Sequence, residues 1–363
     1  MRELTEQELR DIATGSAVLG TGGGGDPYLG TLSALRSRDQ YGPPRLIEAS
    51  ELGPDDLVVF PFCIGSPVPL IEKFPLGKEM SQAFRALERF LGRPITAVMP
   101  AEVGGINSMV PLAMGSELGV PIVDGDCMGR AFPEVHLVTL TMYGIPASPF
   151  ALADERGNQV VLQTIDNVWS ERFGRTVAIN FGAICAGVTY PVTGTQVQEC
   201  TVLGSLSYAE RIGRAIREAQ AAKRDAVVDL ERETGGAVLF RGKIVDVQRR
   251  IQRGWALGEA VLEGMDDDRG NRMVVRFQNE NLVAIRDGEI IASVPDLITI
   301  LDADSGQAIT TEHLRYGFRV VVFGIPCDPK WRTPAGIDLA GPRHFGYDID
   351  YVPLEERFKV RKA

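Results

Sequence analysis

Three carboxylates stand among glycines between Pro94 and Glu134: Glu102 in AEVGGINS, then Asp124 and Asp126 in VDGDCMGR. Carboxylates grouped this way suit one of two jobs. Burial or a neighbouring carboxylate raises the pKa, so the group exchanges a proton near neutrality. A cluster also offers hard oxygen ligands, and a divalent cation is the one cofactor it would hold. Glu102, Asp124 and Asp126 are therefore the candidate catalytic residues. Each has a structural alternative: one aspartate capping the next turn, the other pairing with Arg130, and Glu102 binding nearby loop N–H groups. Asn107 suits a ring carbonyl or amide, or caps a helix. Arg130 suits a substrate carboxylate, gripped by its planar fork, or balances the aspartates.

Other nucleophiles and bases fit less well. Carboxylates beside Cys127 raise a thiol's pKa and work against a thiolate. Cys63 follows an apolar run and opens a glycine loop, while His136 stands in or near an expected strand and can pair with Glu134. His344, in GPRHFGYDID, is able to return to the site with Tyr347 and Asp348, but no spacing fixes that contact. With three histidines in the chain, a histidine-rich metal site is not expected.

A second glycine stretch, GTGGGGDP, precedes a helix start at Asp26-Pro27. Its backbone N–H groups can approach a polar ligand, and Gly22, Gly23 and Gly24 join Asn107 and Arg130 as candidate substrate-binding residues. Gly20, Gly22 and Gly25 satisfy G-x-G-x-x-G formally, yet consecutive glycines match it cheaply, and no acidic partner stands at the right offset. No Gly-Lys-Ser/Thr closes a phosphate loop. Tight packing alone is the structural alternative.

The elements that must position these residues follow from periodicity. Ile95–Met99 and Val120–Val123 are expected as buried strands, with a helix between them ending at Gly119. Leu57–Phe62 is another strand, running into CIGSP, and Leu76–Leu91 an amphipathic helix. Three strand ends then converge at the carboxyl edge of one sheet, where open α/β sheets bind ligands. Helices are expected from the Thr5 capping box to near Gly15, from Pro27 to about Arg38, and after Ser207. Val160–Ile165 and Thr176–Ile184 are read as strands. From Gly235 the texture becomes short β-rich runs, with Asp287-Gly288 as a hairpin turn. The expected fold class is α/β: an αβα sandwich with a mostly parallel sheet over residues 1–234, then a smaller β-barrel-like domain over 235–325. Residues 326–363 should pack back on the first domain.

A net charge of −10 without a basic run argues against a nucleic-acid partner. The charged start MRELTEQELRD and the absence of a long apolar stretch argue against a leader or membrane span. Five scattered cysteines without a C-x-x-C pair fit reduced thiols, and a cytoplasmic setting is expected. A homo-oligomer is left open.

Together GTGGGGDP, EVGGINS, VDGDCMGRAFPE, FRGKIVDVQRR and GPRHFGYDIDYVP resemble the S-methyl thiohydantoin desulfurase family across essentially the whole chain. That resemblance implies an αβα sandwich joined to a β-barrel-like domain, and hydrolytic loss of a sulfur substituent from a thiohydantoin ring. It also implies a genomic setting near hydantoinase-type enzymes, one of which is then a candidate partner. Cys127 stands where the family usually has glycine, which argues against an obligatory nucleophile there. The expected function is a hydrolase acting on a small hydantoin-type cyclic amide. The alternatives are a non-catalytic, ligand-binding partner of a hydantoinase, and a nucleotide-dependent enzyme using GTGGGG.

Overall fold

The computed structural model describes residues 1–65, 77–252 and 255–358. Its first sheet grows from mostly apolar runs, with the charged β1 (Arg2–Glu3) at its edge, then β2 (Arg45–Ile47), β3 (Leu57–Gly65), β4 (Ala97–Val98) and β5 (Ile122–Val123). β6 (Gly125–Asp126) leaves this sheet, after which β7 (Phe150–Ala153), β8 (Gln159–Leu162) and β9 (Ile184–Thr193) complete it. The strand order is β1-β2-β5-β4-β3-β9-β7-β8. β6 pairs instead with β10 (Val202–Leu203) as a separate two-stranded ribbon.

β3 shows why the sheet is a middle layer. Alternate side chains of a strand point to opposite faces. Val58, Phe60, Phe62 and Ile64 pack into one core with Ala178 and Val197 of the helices Asn167–Asn180 and Gly194–Cys200. Leu57 and Val59 face a second core with Phe84, Leu87, Met109 and Leu112 of the helices Glu79–Leu91 and Met109–Leu118. The three-layer expectation holds in that sense. Of the expected Leu76–Leu91 helix, Leu76 lies outside the described residues.

The mostly parallel sheet does not hold. β2, β5, β4 and β3 run parallel, but β1, β9, β7 and β8 join antiparallel. Among the missed strands are β9, hidden in CAGVTYPVTG by residues that read as loop, and β7, which lies in Pro146–Gly157, a stretch expected as loop and turn. Among the missed helices is Asn167–Asn180, part of which reads as a strand. Asp166 caps it by accepting from Trp169 N at 2.8 Å, and Glu171 pairs with Arg175 one turn on. That local bonding outweighs the β-branched residues Thr176 and Val177.

The second sheet is antiparallel throughout: β11 (Ala237–Gln252), β12 (Trp255–Gly264), β13 (Arg272–Gln278), β14 (Glu280–Arg286), β15 (Glu289–Ser293), β16 (Leu297–Asp302) and β17 (Arg319–Ile325). Its order is β15-β14-β13-β12-β11-β17-β16. The sheet curls into a half-barrel around Phe240, Leu262, Val275 and Val322. Across the curl, Asn281 Nδ2 of β14 donates to Ile298 O of β16 at 3.0 Å. Asp287 and Gly288 both have positive φ, 49° and 91°, as a two-residue hairpin of the primed type requires.

Arg130 joins the two sheets' units. It is fully buried, and its guanidinium donates to Pro295 O, Asp296 O and Asn281 O of the half-barrel as well as to Thr21 Oγ1 and Ala131 O. The ending segment bridges the same seam. Trp331 Nε1 donates to Met128 O at 2.6 Å, while Leu354 is part of the half-barrel core. Among the described residues no helix is long and apolar enough to cross a membrane.

Candidate active site

Two glycine turns meet first. Gly24 has φ +73° and its Cα faces Gly104 so closely that a Cβ on Gly24 would lie 2.5 Å from Gly104 Cα. Gly24 O accepts from Ile106 N at 2.8 Å. The half-barrel holds the same loop from its other side: Asn281 N donates to Thr21 O at 2.7 Å, and Thr311 N to Gly22 O at 2.8 Å. The loop therefore lies between the units, and a cleft opens beside it. Gly23, Gly24 and Gly25 line the cleft, together with the end of β3, the loop after β4, and the β13–β14 turn. Gly22 does not line it; a Cβ there would meet Thr311 and Asn281.

Glu102 is the best-held carboxylate of the cleft. Asn107 Nδ2 donates to its Oε1 at 2.6 Å and Phe132 N to its Oε2 at 3.3 Å. Asn107 is itself fixed, since its Oδ1 accepts from Cys63 N at 2.9 Å. Asn107 thus does not cap the following helix; it ties the β4 loop to β3. Burial raises the Glu102 carboxyl to about 7, against the lowering effect of those hydrogen bonds and of Arg130. The amide and Arg130 favour the charged form, and desolvation wins.

Three more carboxyls share the cleft: Glu134, Glu280 and Glu312. Burial lifts Glu134 to about 7 and Glu280 well above the ordinary range, with neighbouring carboxylates adding to both shifts. Glu312 is also raised, chiefly by burial. Glu280 Oε1 would lie 1.9 Å from a Cβ on Gly23, so glycine there makes room for the carboxyl. Arg175 borders the cleft, bound to Glu171 and to Pro133 O, with its guanidinium 4.7 Å from the Trp255 ring centroid.

The two aspartates expected here lie elsewhere, and neither lines the cleft. Asp124 accepts from Ser207 N at 3.0 Å and Ser207 Oγ at 2.5 Å, and so caps the helix Ser205–Ala221 from outside. Asp126 Oδ2 accepts from Val103, Met128 and Gly129 N–H groups at 3.0, 3.0 and 2.8 Å, folding the loop under the site. Burial nevertheless raises Asp126 to about 7. The physical reason for the correction is the β6–β10 ribbon, which turns Gly125–Asp126 away from β5. Arg130 is also absent from the lining, its N–H groups held by the half-barrel carbonyls rather than presented to a substrate.

Cys63 lines the cleft but belongs to β3 rather than a loop; burial and then Glu79 and Glu102 push its thiol up to about 12. Ser66 and Pro67 of the expected CIGSP loop lie outside the described residues. Burial and Asp126 likewise push up Cys127, which lies off the cleft, so neither thiol is poised as a thiolate. His136 sits in a turn, not a strand, and burial lowers it to about 4. Sequence reasoning missed Glu280, Glu312, Tyr190 and Arg175. A signal existed for Glu280: the polar triplet Asn279-Glu280-Asn281 interrupts two apolar strands, and Asn279 takes φ +56° in the turn.

An α/β unit, a half-barrel and an acidic cleft at their seam define the class of protein. The chain belongs to the S-Me-THD-like family: residues 7–164 match its N-terminal domain and residues 165–354 its C-terminal domain. It is also similar to the crystal structure of a protein from Chromobacterium violaceum, at 23% identity and a TM-score of 0.80, over 98% of this chain and 100% of that one. That likeness bears on the fold alone. No curated protein matches the chain.

Proposed function

We propose that the chain is a hydrolase acting on a small hydantoin-type cyclic amide, and that its reaction removes the sulfur substituent of an S-methyl thiohydantoin. The observation that carries this reading is Glu102, a buried carboxyl held by Asn107 and the Phe132 N–H in an acidic cleft, with its pKa near 7. Such a group is half ionised at neutrality and suits a general base. Family membership favours the thiohydantoin substrate class.

In this reading Glu102 takes a proton from water as the water oxygen bonds to the ring carbon that bears sulfur. The C=N electrons move to the ring nitrogen, which takes up a proton. The C–S bond of the tetrahedral adduct then breaks, the Glu102 proton leaves on methanethiol, and the hydroxyl oxygen becomes the carbonyl of a hydantoin as its proton passes to the group that protonated the ring nitrogen. Carboxyls kept neutral by burial, Glu280 above all, supply the hydrogen bonds that the ring nitrogens and oxygen need.

The test is turnover of hydantoins, thiohydantoins and S-methyl thiohydantoins by the purified chain, followed by ultraviolet absorbance and thiol release. Thiol release that disappears in Glu102→Gln supports the reading. Tight binding of the same compounds with no turnover would favour a ligand-binding partner of a hydantoinase instead.

A further inference from the structure

Beside the cleft, three side chains from distant parts of the chain meet in a way that hydrolysis by Glu102 does not require. Glu134 and His136 come from the turn after Phe132, and His344 from the short helix Pro342–Phe345. One ligand atom from each lies within 4.8 Å of the others. His136 Nε2 stands 3.5 Å from Glu134 Oε2, and His344 Nε2 3.9 Å from the same oxygen. Both separations are too long for a good hydrogen bond. They are close to the roughly 3.3 Å between two ligand atoms that share a tetrahedral zinc ion at about 2.0–2.1 Å.

A second observation points the same way. His136 is 6% exposed, and its Nδ1 has no hydrogen-bond partner among the described residues. That unpaired atom is Nδ1, whereas Nε2 is the nitrogen that faces Glu134, so no hydrogen bond to another protein group competes with an ion for the ring. The two rings are also held in place: their centroids are 6.0 Å apart at 62°, and the His344 ring meets Phe345 edge-on at 4.9 Å.

We propose that Glu134, His136 and His344 form a binding site for a divalent transition-metal ion of the zinc type. Two imidazoles and one carboxylate are a set such ions accept while keeping an open position. Glu134 lines the cleft, so the open position lies at the cleft's edge. The set differs from the aspartate cluster that the sequence suggests for a cation. Metal uptake is measured without substrate, so it stands or falls apart from the hydrolysis reading.

The experiment uses the full chain, free of any affinity tag, stripped with chelator and titrated with Co²⁺. Visible absorption reports the ligand field, and competition by Zn²⁺ reports affinity. The expected result is one ion per chain with the d–d bands of a four- or five-coordinate site. Loss of outer-shell partners alone weakens metal sites about 10–100-fold, so His136→Gln and His344→Gln are each expected to weaken uptake at least that much. The remaining histidine, His313, is bonded to Thr310 and is the control: His313→Gln should leave uptake unchanged. His344 lies at the surface, so His344→Gln decides the matter should His136→Gln fail to fold. No uptake by the parent chain, or uptake indifferent to His344→Gln, would overturn the proposal.

Discussion

Glu102 and Asp126 both carry carboxyls that burial raises to about 7, and the sign of the consequence can be worked out for each. A carboxyl whose folded pKa lies above its unfolded value binds more protons in the native state. Its contribution to stability is fully present below the unfolded pKa and is lost as pH rises through the folded one. Unfolding by denaturant across a pH series should therefore show stability falling from about pH 4 to about pH 7, with a shallower fall in Asp126→Asn. Activity should move the other way. A base must be ionised, so turnover is expected to rise through an apparent pKa near 7. Glu102→Gln should lower kcat by about 10²–10⁴-fold with an unchanged circular dichroism spectrum. Glu102 and Asn107 stood out in the sequence as polar residues in a glycine loop after a buried strand, each with a structural alternative, and the structure places both in the cleft lining. Glu312 did not stand out, and the polar triplet that marks Glu280 does not reveal that it faces the cleft, since both reach it from the half-barrel unit.

At the scale of elements, Asp124 supports a helix rather than a reaction. Asp124→Ala removes the acceptor for both Ser207 groups at the start of Ser205–Ala221. The expected loss is about 1–2 kcal/mol in denaturant unfolding, with turnover per folded molecule retained. Gly24→Ala should do more harm: its Cβ would strike Gly104 backbone, and the positive φ adds strain. A loss of at least about 2 kcal/mol is expected, together with weaker substrate binding, because the cleft wall must shift. Elements marked by strong local chemistry were readable: Asp26 and Pro27 start a helix, Gly119 ends one at φ +67°, and Asp287-Gly288 turns a hairpin. β9 was not, because its Thr, Gly and Pro look like loop until β3 and β7 pair with it. Long-range pairing overrode local propensity there.

For the whole molecule, Arg130 ties the α/β unit to the half-barrel through carbonyls that no other described donor from the first unit reaches in the same way. A lysine has one compact ammonium where these carbonyls need a planar fork. Arg130→Lys should therefore lower the unfolding free energy by about 3 kcal/mol or more, since buried carbonyls left unpaired each cost about 1–3 kcal/mol. The same variant should lose ligand binding, because Thr21 and the glycine loop rest on this seam.

β9 lies between β3 and β7, although it comes from the region matching the family's C-terminal domain and they from the N-terminal one. The boundary between the two matched regions therefore runs through the middle of a hydrogen-bonded sheet. During synthesis, β3 must wait with its edge unsatisfied until Ile184–Thr193 has left the ribosome. An open edge with apolar side chains on both faces invites pairing with a neighbouring nascent chain. Slowing translation just before Ile184 should accordingly raise the insoluble fraction in cells, whereas a pause placed far enough beyond Thr193 that β9 has emerged should not.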